Sequence, residues 1–169
     1  MTGAMRGYIL VVDTVNRRVG RVIMYGMFAI MAILLWSSLS KTFFNPSLWT
    51  LEMAQFAMVG YYILGGPYAV QTDANVRMDL FYGSWSARRK AWFDVFTVFF
   101  LLFYLAVLLW GGIDSTIYSF QYGGERSPSA WRPYLWPIKV VMVTGIVLMV
   151  FQAVSEFFKD ILRLRREDF

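Results

Sequence analysis

The sequence predicts an all-α membrane protein with four transmembrane helices, plus amphipathic interfacial helices at the N-terminus and in the middle cytoplasmic loop. Three observations carry this. Four uncharged apolar stretches fill most of the 169 residues, and hydrophobic residues make up 58% of the chain. The 16 Lys and Arg residues fall unevenly about those stretches. The seven Trp residues gather near their ends. A helix needs about 20 apolar residues to cross the hydrocarbon, and in lipid every backbone polar group must be bonded within its own segment. One membrane domain covering residues 1–169 is expected, with spans at about 22–40, 53–72, 95–113 and 134–155.

Before the first span, Val12, Val15, Val19 and Val22 recur at helical spacing, with Asn16, Arg17, Arg18 and Arg21 on other faces. This predicts a basic amphipathic helix on the membrane surface. The early apolar run Tyr8–Val12 is too short for a signal sequence and is interrupted by Asp13, so the first span is expected to act as an uncleaved insertion signal. In the following connection Asn45-Pro46 signals a turn, and Ser47 or Thr50 is a candidate cap for span 2. Span 2 holds Gly60 and Gly65-Gly66-Pro67. The proline predicts a kink near Leu64, and the glycines allow close helix approach.

The middle loop, Val76 to Lys90, mixes Met78, Phe81, Tyr82 and Trp85 with Arg77, Asp79 and the run Arg88-Arg89-Lys90. A second interfacial helix is expected there. The last connection, Asp114 to Pro133, is the longest on the opposite side and carries Gly123-Gly124 and Ser127-Pro128. Twelve of the basic residues precede span 1, separate spans 2 and 3, or follow span 4. Lys41, Arg126, Arg132 and Lys139 lie on the other side. Short cytoplasmic loops hold the excess of Lys and Arg, so both termini are expected inside. The +5 net charge is thus assigned to the cytoplasmic membrane face, with no nucleic-acid partner. The expected anchors are Trp36, Trp49, Trp85, Trp92, Trp110, Trp131 and Trp136, with Arg88, Arg89 and Lys90.

The chain is poor in chemistry. It has no Cys and no His, which removes thiolate and imidazole ligands, disulfides and His-based acid–base catalysis. Glu52, Asp94, Asp114 and Glu156 sit near span ends, where each is expected to pair with a nearby Arg or Lys. Gln55 and Gln152 are the most interior strongly polar side chains. A carrier with its own substrate site needs polar groups or unwound backbone at mid-membrane. None is evident, so the sequence predicts no catalytic residue, no metal or substrate ligand and no cofactor. An accessory membrane subunit is the favoured class. A stand-alone four-helix proton-coupled exporter using Glu52, or a scaffold of another membrane complex, is the alternative.

Several segments in order resemble one family. They are Pro46-Ser47-Leu48-Trp49-Thr50-Leu51-Glu52, Leu64-Gly65-Gly66-Pro67-Tyr68-Ala69, Asn75-Val76-Arg77-Met78-Asp79, Ser127-Pro128-Ser129-Ala130-Trp131-Arg132-Pro133 and Leu135-Trp136-Pro137-Ile138-Lys139, followed by Gln152-Ala153 and Glu156. Together they resemble the small membrane subunit of tripartite ATP-independent periplasmic (TRAP) transporters, the DctQ-like small permeases. Many members carry a His where this chain has Asn75. The resemblance implies a large membrane subunit that moves as an elevator and holds the sodium and substrate sites. It also implies a periplasmic binding protein that delivers an organic acid, and a bacterial inner-membrane location. Sodium is then expected on the partner, not on this chain. Glu52, Gly60, Gly65, Gly66, Arg77 and Asp79 are the residues expected to meet the large subunit or fix the register, and lipids contact the anchors.

Overall fold

The computed structural model describes residues 2–72, 74, 87–122 and 124–167. They form five helices: α1 (Thr2–Met24), α2 (Gly26–Phe43), α3 (Thr50–Gln71), α4 (Ala87–Gln121) and α5 (Trp136–Glu167). No strand occurs among the described residues, and the one β-like feature is an isolated antiparallel bridge between Arg126 and Tyr134.

Three segments are long and apolar enough to cross a membrane: Gly3–Phe43, Phe96–Gln121 and Trp136–Leu162. The first joins α1 and α2 through a single turn residue, Tyr25. The helix α3 has 22 residues, and Glu52, Gln55, three glycines and Pro67 dilute its apolar character.

The boundaries differ from the expected ones in informative ways. The helix α1 does not end at Val22, where the first span is expected to begin, but continues to Met24. The α3 helix begins at Thr50, ahead of Met53, and neither Ser47 nor Thr50 caps it: the Thr50 hydroxyl is engaged by Ser37 and Ser47 instead. The helix is continuous through Pro67. The α4 helix extends well beyond 95–113 at both ends. Tyr134 and Leu135 lie outside α5, which instead continues to Glu167. At 1.5 Å per residue, α4 and α5 are each about 50 Å long, so both outreach a hydrocarbon layer of about 30 Å. The expected middle-loop helix falls mostly outside the described residues, as do Arg77, Asp79 and Trp85.

The helices pack in a row. Helix α2 lies on α3, α3 on α5, and α5 on α4, while α1 straps across α3 and α5. Close approaches give the directions. Gly60 meets Val141, Gly145 meets Ile63 and Gly66 meets Met149, so α3 and α5 run parallel. Gly112 meets Val143 and Ile146, and Lys139 meets Ser115 and Ser119, so α4 is antiparallel to α5. Gly26 meets Tyr61, and Ser37 meets Thr50, so α2 is antiparallel to α3. A row buries less than a closed bundle. The buried apolar cluster is Leu105, Ile146 and Ala153, flanked by Leu101, Leu109 and Met149 among others. The outer faces of α2 and α4 stay apolar and exposed, with Phe28, Leu35, Phe99, Phe103 and Trp110 among the exposed side chains.

Candidate functional site

Two polar clusters, at opposite ends of α5, hold this wall together. The first lies where α1 crosses α3 and α5. Gln152, Ser155, Glu156 and Lys159 share one face of α5, because residues three, four and seven apart lie over one another on a helix. They meet Asp13 and Asn16, one turn apart on α1. The fully buried Gln152 accepts a hydrogen bond from the Asn16 amide (2.6 Å) and donates to Asp13 (3.1 Å) and Glu156 (2.9 Å). The Ser155 hydroxyl also donates to Asp13, at 3.2 Å. Lys159 forms ion pairs with Asp13 (2.8 Å) and Glu156 (2.7 Å). From α3, the Gln71 amide donates to the Asp13 carbonyl at 3.0 Å. Three helices thus converge on Asp13.

Apolar contacts extend the strap. The Tyr8 ring packs edge-on against Phe158, and Tyr8 donates its hydroxyl hydrogen to the Phe151 carbonyl. A Cβ at Gly20 would fall 2.3 Å from the Tyr68 ring, so α1 crosses α3 at a point only glycine permits.

The second cluster ties the connection between α4 and α5 to the helices. The Lys139 ammonium reaches Glu125, the Ser119 hydroxyl (2.7 Å) and the Ser115 carbonyl (3.3 Å). Hydrogen bonds from Lys139 and Ser119 hold the Glu125 carboxyl below its usual range, against a smaller upward push from desolvation. The connection is closed by Ser127 N–H to the Pro133 carbonyl and Leu135 N–H to the Glu125 carbonyl, both 3.0 Å. Gly124 has φ +105° and lies under the Tyr134 ring, where a Cβ would come within 2.7 Å. The Arg126 guanidinium stacks 4.5 Å from the centroid of the same ring. Nearby, Ser40, Ser47, Thr50 and Ser37 form a hydroxyl chain that joins α2 to the start of α3.

The two clusters are separated by the rise from Lys139 to Lys159. Twenty residues of helix correspond to about 30 Å, which matches the thickness of a hydrocarbon layer. Between Lys139 and Glu156 the helix α5 carries no charge over residues 140–155, about 24 Å of helix.

The residues singled out from sequence fall as follows. Glu52 is buried in α3 and accepts a hydrogen bond from the Ser127 hydroxyl at 2.8 Å, while its other oxygen has no partner. The expected nearby Arg or Lys is therefore replaced by a serine from the α4–α5 connection. Glu156 does pair with a lysine. Gln55 is exposed, whereas Gln152 is central to the first cluster. Gly60 and Gly66 face α5, and Gly65 faces Ile23 of α1. Trp36, Trp49, Trp92, Trp110, Trp131 and Trp136 are all exposed. Arg89 is exposed on the first turn of α4, and the backbones of Arg88 and Lys90 flank it. Among the described residues no three acidic side chains converge as metal ligands would.

Sequence reasoning missed Asp13, Asn16, Gln71, Lys159 and Ser127 as structural contacts, and Gly20 and Gly145 as crossing points. The one-face spacing of Gln152, Ser155, Glu156 and Lys159 was the available signal.

A wall of apolar helices with its polar groups spent on internal ties suits a membrane component that works in an assembly. Comparison with known proteins bears on which assembly. No curated protein matches the chain. Residues 10–163 match the family model described as tripartite ATP-independent periplasmic transporters, DctQ component. That family is a transporter component and not an enzyme family. The match covers nearly the whole chain, which therefore belongs to the DctQ family, as the small membrane subunit of a TRAP transporter.

Proposed function

We propose that this chain is a four-span brace in the bacterial inner membrane, with α3 as the fourth span and both termini cytoplasmic. It holds a large elevator-type membrane subunit during sodium-coupled uptake of an organic acid, which a periplasmic binding protein delivers. The sodium and substrate sites belong to the large subunit.

The observation that carries this reading is the single row α2–α3–α5–α4. A self-sufficient carrier encloses a site between its helices. The described helices form a row and not a closed ring, and the row offers two broad apolar faces, suited to a large partner on one side and lipid on the other. The ties at each end of α5 make the row stiff, as a stationary frame requires. Within it, Glu52, Gly60, Gly65 and Gly66 fix the register of α3, and Arg77 and Asp79 add polar contacts to the large subunit. The exposed tryptophans and the basic run Arg88-Arg89-Lys90 anchor the frame at the two membrane surfaces.

Co-expression with a large TRAP permease, followed by purification and reconstitution with a binding protein, tests this. Sodium-dependent uptake of an organic acid should require both membrane chains. Uptake by liposomes holding only this chain would refute the reading.

A further inference from the structure

We propose that α1 is a binding strip for anionic phospholipid headgroups, formed by Arg17, Arg18 and Arg21. It rests on α1 lying at a membrane surface, as the bracing role requires.

The strip arises from how α1 divides its charges. Its one acidic residue, Asp13, points inward and is engaged by Lys159, Ser155 and Gln152. The polar Asn16 is buried beside it. The basic residues Arg17, Arg18 and Arg21, by contrast, are exposed. None of them has a carboxylate within ion-pair distance among the described residues. The outer surface of α1 therefore carries positive charge uncompensated by its own acid.

Position narrows the occupant. The α1 helix crosses α3 between Gly65 and Gln71 and crosses α5 near Lys159, just past the uncharged stretch 140–155 of α5, which is about 24 Å long. Beside the arginines run the exposed apolar side chains of Val11, Val15 and Val22. A helix with one face on protein, one apolar edge and one basic edge is built to sit between acyl chains and phosphates. Guanidinium groups bind phosphate through paired N–H donors. Phosphatidylglycerol and cardiolipin add net negative charge that a zwitterionic lipid lacks.

The full chain, purified in a non-ionic detergent, should be titrated with phosphatidylglycerol and with phosphatidylcholine of matched acyl chains, and bound lipid counted by native mass spectrometry. Each basic residue near an anionic surface contributes on the order of a few-fold in affinity, so three should favour phosphatidylglycerol by tenfold or more. R17Q/R18Q/R21Q should abolish the preference, and R17K/R18K/R21K should keep most of it. K41Q/R126Q/R132Q removes equal charge elsewhere and should leave it intact. Circular dichroism checks the fold, and single R18Q takes the place of the triple variant if helicity falls; it should lower the preference by a few-fold.

Equal retention of the two lipids, or a preference that survives the glutamine variants, would overturn the proposal. So would an R17Q/R18Q/R21Q chain that keeps its lipid preference but loses the large subunit, since that would make the strip a protein contact. Membrane orientation does not enter a detergent titration, so this proposal and the bracing role can fail separately.

Discussion

Gly145 of α5 lies directly against the Ile63 peptide of α3: a Cβ there would fall 2.2 Å from Ile63 Cγ2 and 3.0 Å from its carbonyl oxygen. The carbonyl is special because the residue one turn on is Pro67. Proline has no N–H to return to it. The α3 helix gives up one hydrogen bond there, and α5 comes close at the same place. Gly145→Ala should force the two helices apart or drive Ile63 off its rotamer, at a cost of about 1–3 kcal/mol. Thermal unfolding in detergent measures the loss. Adding Ile63→Ala should recover part of it, because the worst clash is with a side chain and the remainder is with backbone. Equal stability of Gly145→Ala and the parent would show that the helices are not locked here.

Gln152 should matter more than any other side chain in the first cluster. It is fully buried and bonds Asn16, Asp13 and Glu156 together. Gln152→Leu leaves the Asn16 amide buried without an acceptor, and a buried donor or acceptor stripped of its partner costs about 1–3 kcal/mol. The damage should be local: α1 loosens while α3 and α5, joined by glycine contacts, stay paired. Protease cleavage in the Met24–Gly26 turn, faster in the variant than in the parent, is the expected readout. Uniform unfolding with no local step would contradict a strap held by this residue.

The parts of this architecture legible from sequence are those set by periodicity and hydrophobicity. Runs without charge announce helices, because lipid accepts no other open-ended backbone. The Tyr25 turn leaves no mark, since the apolar run from Val22 to Ser40 passes straight through it. Helix ends are also blurred: α4 runs on past Ile113 through Asp114, Ser115, Thr116 and Ser119, residues as common in a connection as in a helix end. Gln152 is recognisable as an interhelical hydrogen-bonding group, but its partners lie 136 and 139 positions away, and nothing local names them. Asp13 looks like a break in a weak apolar run and proves to be where three helices meet. Glu52 invites a basic partner by charge alone, yet Ser127 reaches it, because the α4–α5 connection folds back over the start of α3.

That contact makes Ser127→Ala a sharp test. Glu52 already has one buried oxygen without a partner, and the substitution would leave the carboxylate with none. The expected loss is about 1–3 kcal/mol. Glu52→Leu combined with Ser127→Ala should be less harmful than Ser127→Ala alone, because replacing both members of a buried polar pair avoids stranding a charge. The ranking of the two unfolding temperatures decides the point. If the contact also sets the surface offered to the large subunit, Ser127→Ala should lower co-purification as well as stability.

Acid should open the α4–α5 connection before it affects the helices. The Glu125 carboxyl is held below its ordinary value of 4.5, chiefly by its hydrogen bond from Lys139 and next by that from Ser119. A carboxyl depressed in the folded state contributes stability that is fully present above its unfolded value. That contribution disappears as pH falls from about the ordinary value through the lower folded one. Hydrogen exchange at Leu135 N–H, which bonds the Glu125 carbonyl, and at Ser127 N–H, which bonds Pro133, should report the opening. Both amides should lose protection across that acid window, while α5 amides near Ile146 keep theirs. Glu125→Gln removes the titrating group, so the acid-dependent step should vanish in that variant. A step of unchanged size in Glu125→Gln would place the sensitivity on another carboxylate.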